Sequence, residues 1–132
     1  MKVILDTNVI ISSIFFGGIP SHIIEACYEK CIKLVMSPAI LIEYRDVAER
    51  LARRKPNDYK TVLEWILTNA EMVADTTLAE PVSVDPDDDK FIAAALLSGA
   101  KIICSGDKHL LDVNGYRGIE ILKPKPFADK YL

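Results

Sequence analysis

Four acids spread along the chain, Asp6, Glu43, Asp88 and Asp107, are the side chains best placed to do chemistry. Asp6 ends the apolar run Val3-Ile4-Leu5 and opens Asp6-Thr7-Asn8, ahead of Val9-Ile10-Ile11. Asp107 repeats that arrangement, following Lys101-Ile102-Ile103-Cys104 through Ser105-Gly106. Glu43 lies three residues after Ile40 and four before Val47, so it projects from the apolar stripe of a helix. Asp88 stands three before Phe91 and four before Ile92, which aims it along a core-facing stripe as well. Carboxylates that converge without cysteine or histidine among them make a hard-oxygen site, suited to magnesium or manganese and not to zinc. Such a site does phosphate chemistry well. One ion generates hydroxide from bound water, and a second ion or a remaining carboxylate stabilises the leaving oxygen of an in-line displacement.

Three of these acids also have a plainer reading. Asp6 fits a helix N-cap, and Glu43 fits half of an ion pair with Arg45 or Arg50. In Asp85-Pro86-Asp87-Asp88-Asp89-Lys90, capping and the helix dipole account for one or two acids. Four carboxylates within five residues repel one another, so they must spread in solvent or be neutralised by a cation. Asp87 and Asp89 should flank Asp88, and Asp85, Asp87 or Asp89 remain alternatives to it as a ligand.

The elements that would carry these acids alternate. Strands are predicted near residues 2, 33, 72, 101 and 119, with a helix after the first from Val9 to Phe16 and a second from Pro20-Ser21 to about Lys30. Ser37-Pro38 starts a long helix with Ile40, Tyr44, Val47, Ala48 and Leu51 on one stripe, and another carries Tyr59, Val62, Leu63, Ile66 and Ala70. Residues 75–86 read as a loop, Gly99 as the stop of the helix after the acidic run, and the tail after Pro124 as holding a helical turn or more. This pattern predicts a three-layer α/β fold with a central parallel sheet of about five strands flanked by helices, in one domain over residues 1–132. Right-handed crossovers put all the strand carboxyl ends on one edge. If the first and fourth strands are neighbours, the four acids converge there.

The 132-residue chain is half apolar with a net charge of -3, so bulk charge does not draw in polyanions. Its most basic stretch, Arg50, Arg53, Arg54 and Lys55, reads either as complementing a helix C-terminus or as a contact to a phosphate backbone. No apolar run reaches the roughly 18 residues needed to span a bilayer, and no export leader is evident, so a cytoplasmic protein is expected. Cys27, Cys31 and Cys104 read as reduced thiols; Cys27 and Cys31 share one face of a helical pattern, and neither His22 nor His109 completes a zinc set. A phosphohydrolase of the haloacid dehalogenase type wants a second Asp two residues after the first, where this chain has Asn8.

Taken together, Val-Ile-Leu-Asp6-Thr7-Asn8-Val, Ser37-Pro38 with Glu43, Asp88 with Phe91-Ile92-Ala93-Ala94-Ala95, and Ser105-Gly106-Asp107-Lys108 resemble the PIN-domain ribonucleases. The resemblance spans nearly the whole chain and looks closest to the small VapC-like toxin components of toxin-antitoxin systems. It implies a magnesium- or manganese-dependent endoribonuclease in which Asp6, Glu43, Asp88 and Asp107 hold the metals. It further implies that Thr7, Asn8 and Ser105 orient those carboxylates, that RNA is the substrate, that a small antitoxin is the partner, and that the protein forms a homodimer. The alternative is a catalytically silent PIN-like module that binds RNA or protein.

Overall fold

A computed structural model describes all 132 residues. Five strands, β1 (Lys2–Leu5), β2 (Lys33–Met36), β3 (Glu71–Met72), β4 (Ile102–Cys104) and β5 (Glu120–Leu122), form one parallel sheet in the order β3-β2-β1-β4-β5. The strands are short apolar runs because both faces of the sheet are covered: Val3, Ile4, Leu5, Val35, Met36, Ile103 and Cys104 are all buried. The first and fourth strands are neighbours, paired Val3 to Ile102, Ile4 to Ile103 and Leu5 to Cys104. The order reverses at β1, so the crevice beyond β1 and β4 is the switch point at which such sheets bind ligands.

Helices α1 (Thr7–Phe15) and α2 (Ile19–Tyr28) carry the chain from β1 to β2; α3 (Pro38–Ala52) and α4 (Tyr59–Asn69) carry it on to β3. The return to β4 runs through a 3-10 turn at Pro86–Asp88 and α5 (Asp89–Ser98), which lies against β2, β1 and β4. Right-handed crossovers place α5 on the face opposite α1 to α4. Helices α6 (Lys108–Leu111) and α7 (Pro124–Tyr131) flank β5. The sheet order, the parallel pairing and the flanking helices agree with the predicted three-layer fold.

Local chemistry sets the boundaries. Ser37 Oγ accepts from the Ile40 amide with Pro38 in the first turn of α3, and Gly99 ends α5 in the left-handed conformation, φ 79°. Lys30 also turns left-handed, φ 63°, so α2 stops short of the predicted Lys30. Cys31 therefore lies beyond the helix and is exposed, whereas Cys27 is buried; the two do not share a helix face. The third strand sits at Glu71–Met72, at the predicted place near residue 72, and Pro86–Asp88 forms a 3-10 turn ahead of α5. Trp65 packs edge-on to Tyr28, ring centroids 4.5 Å apart, as a half-buried packing residue. No single helix is long and apolar enough to cross a membrane.

Candidate active site

The Asp6 peptide continues the β1–β4 pairing, its amide donating to the Cys104 carbonyl at 2.9 Å, and its own carbonyl receives the first α1 amides. Asp6 thus occupies the N-cap position, but its side chain caps nothing. Instead Oδ2 accepts a hydrogen bond from the Ser105 hydroxyl at 2.7 Å, and the residue is only 5% exposed. Burial raises the Asp6 pKa; the Ser105 hydroxyl and the Thr7 amide pull against that, while Asp107 and Glu43 add to it. Ser105 is shared between two acids, because its oxygen also accepts the Asp107 amide at 2.9 Å. Asp107 is half-buried, and its Oδ1 caps α6 by accepting the His109 amide at 2.9 Å.

The acids of the run Asp85 to Asp89 have different surroundings. Asp85 caps the turn through the Asp87 amide, Asp89 accepts the Val82 and Ser83 amides of the preceding loop, and Asp87 pairs with Lys90 at 3.0 Å. Asp88 alone is buried, 6% exposed, and its Oδ2 is the one buried polar side-chain atom in the chain without a hydrogen-bond partner. Burial, then the neighbouring charges of Asp107, Asp85 and Asp6, push its pKa up to about 7. Asp6, Asp88 and Asp107 therefore lie near enough at the switch point for their charges to act on one another.

Glu43 reaches the same edge from the second turn of α3, but its oxygens are taken. Oε2 accepts the Thr7 hydroxyl and Oε1 accepts the Lys90 ammonium at 2.9 Å. The sequence offered Arg45 or Arg50 as its partner. The structure pairs Arg45 with Asp46 and gives Glu43 to Lys90, 47 positions away. Burial draws the Lys90 pKa down, yet Glu43 and Asp87 outweigh it and hold the ammonium above the ordinary lysine value. The other residue not foreseen here is Tyr44, fully buried in α3, whose hydroxyl donates to the Leu5 carbonyl and so fastens the end of β1.

Of the supporting residues, Thr7 and Ser105 touch the acids as expected. Asn8 does not: it is exposed and hydrogen-bonds none of them. Arg50, Arg53, Arg54 and Lys55 are exposed at the far end of α3; Glu43 to Arg53 spans about 15 Å of helix. Arg53 lies 4.0 Å from Glu49, and Lys55 sits over the Phe16 ring at 4.7 Å. The fold leaves this basic cluster apart from the acids.

The donor set fits a hard divalent cation, being all oxygen, with an unpartnered buried carboxylate oxygen on Asp88. With Glu43 turned to Thr7 and Lys90 and Asp107 turned to α6, no three His, Cys, Asp or Glu side chains stand close enough to hold one ion as they are. Compared with known proteins, residues 2–109 match the PIN domain family. No curated protein matches the chain in sequence. The matched span covers most of the molecule and includes all four acids, so the chain belongs to the PIN domain family, a nuclease-like fold that typically binds divalent metals.

Proposed function

We propose that the protein is a magnesium- or manganese-dependent endoribonuclease that hydrolyses RNA phosphodiester bonds. The observation that carries this reading is the unpartnered, buried Asp88 oxygen in a carboxyl that feels the charges of Asp107 and Asp6. Leaving a buried polar atom without a partner costs about 1–3 kcal/mol, and more for a charged one. A cation bound by the three acids would remove that cost. Such an ion would supply activated water at neutral pH and offset the charge of the phosphate. Asp6, Asp88 and Asp107 would hold it, with Glu43 closing the acidic wall. Ser105 fixes the direction of the Asp6 carboxylate and the position of the Asp107 backbone together, and Thr7 fixes Glu43.

The toxin role rests on the likeness of the four spaced motifs to the VapC-like group. In that reading the protein works in the cytoplasm as a homodimer and is silenced by a small antitoxin. Purified protein should cleave a mixed RNA panel with magnesium or manganese, stop with EDTA, and lose activity on Asp6→Asn. Unchanged cleavage by that variant would falsify the mechanism. Induced expression should arrest growth of a host cell, and a harmless wild-type protein removes the toxin role.

A second reading, a silent module that binds RNA or protein, is favoured by the occupied Glu43 and by the absence of a ready three-acid cluster. RNA retained by the wild-type protein without metal-dependent cleavage selects it.

A further inference from the structure

The acidic edge has two unlike halves. Asp6, Asp88 and Asp107 lie near enough for their charges to act on one another, Asp88 has an oxygen to spare, and no basic side chain forms an ion pair with any of them. Glu43 and Asp87 face Lys90, whose ammonium donates to Glu43 Oε1 at 2.9 Å and to the Asp87 carbonyl at 3.0 Å and forms an ion pair with Asp87 Oδ2 at 3.0 Å. The lysine side chain is 17% exposed, and its nitrogen lies over the Phe91 ring, 5.2 Å from the centroid, so the charge is fixed in place. The Thr7 hydroxyl occupies the other Glu43 oxygen. A cation placed on Glu43 would meet a fixed positive charge.

We propose that Lys90 is a built-in counter-ion that takes the place of a second metal, so that the site holds a single divalent ion on Asp6, Asp88 and Asp107. Lys90 is then a positioning residue. It keeps Glu43 aimed along the edge, and it confines the exchangeable cation to the half in which Asp88 has an unpartnered oxygen. This rests on the metal-dependent reading above.

Manganese titration followed by electron paramagnetic resonance counts bound ions without reference to cleavage. The wild-type protein should bind one Mn2+ per chain. Lys90→Met keeps an unbranched apolar side chain and removes the charge, leaving Glu43 and Asp87 without a cation, and should bind two. Lys90→Arg, which restores the charge, should return the count to one, as should Lys90→Met combined with Glu43→Gln. Circular dichroism confirms that each variant is folded, and a Lys90→Met that fails to fold passes the test to the wild-type count and Lys90→Arg. Two ions in the wild type, or one in both the wild type and folded Lys90→Met, overturn the counter-ion role while leaving metal-dependent hydrolysis intact. No Mn2+ bound by either overturns both.

Discussion

The ends of β1 and β4 carry the same local signature, an apolar strand leading into an acid, yet the two acids have different surroundings. Asp107 spends one oxygen on the first turn of α6 and is half-buried, whereas Asp6 is buried and leaves α1 without a side-chain cap. The difference arises across the sheet. Ser105 follows β4 directly, and its hydroxyl reaches the neighbouring strand end to hold Asp6. A carboxylate diverted from a capping role it could fill, and held in a buried position by a neighbour, is one whose placement serves something other than the stability of its helix.

Substitutions can widen or close this contrast. The largest effect belongs to Asp6→Asn, with RNA cleavage falling on the order of 10²- to 10³-fold. In EDTA at about pH 8 that variant should melt no lower than the wild type, because the charge it removes is one that burial opposes. Ser105→Ala breaks the link between the two acids. It should weaken manganese affinity about 10- to 100-fold in titrations, the usual scale for a group that orients a ligand, and unfold more easily in urea. Asp107→Ser keeps a cap for α6 and removes the carboxylate, so its melting temperature should barely change while manganese affinity falls. A large loss of stability there would show that Asp107 is chiefly a cap.

A pH series sharpens the comparison further. The Asp88 carboxyl, pushed up to about 7, binds its proton more tightly folded than unfolded. Its contribution to stability is complete below about pH 4 and is lost as the pH rises to 7. Metal-free wild-type protein should therefore lose melting temperature across that window more steeply than Asp88→Asn, measured by calorimetry in EDTA. The smallest effect is reserved for Arg53→Ala with Arg54→Ala. If that cluster tracks an RNA backbone, the double variant weakens RNA binding evenly across sequences and lowers the salt slope by about two.

Periodicity alone carried the parallel sheet and the helix order, because buried strands and amphipathic helices leave strong local marks at Val3-Ile4-Leu5 or along Ile40 to Leu51. It also aimed Asp88 correctly, since a helical residue three and four before Phe91 and Ile92 shares their face. Lys90 was beyond reach. Beside three aspartates it reads as a local ion pair, and nothing in the chain marks its contact with Glu43, which depends on how α3 meets α5 across the sheet edge. Tyr44 was legible only as a core residue, because a stripe pattern says nothing about which carbonyl a phenol will find. The reach of Asn8 toward the acids failed for a simple reason: side chains at successive helix positions point about 100° apart, so Thr7 turns inward and Asn8 turns out.

The three thiols give the molecule a clock. Cys27 and Cys104 are buried, with burial pushing each pKa up to about 12, whereas Cys31 sits on the surface. Only thiolate reacts quickly with an alkylating reagent, so native protein should consume one equivalent at once and the remainder only as the core opens. Cys104 pairs with Leu5 immediately before Asp6. Its labelling rate therefore times the opening of the strand ends beneath the acids.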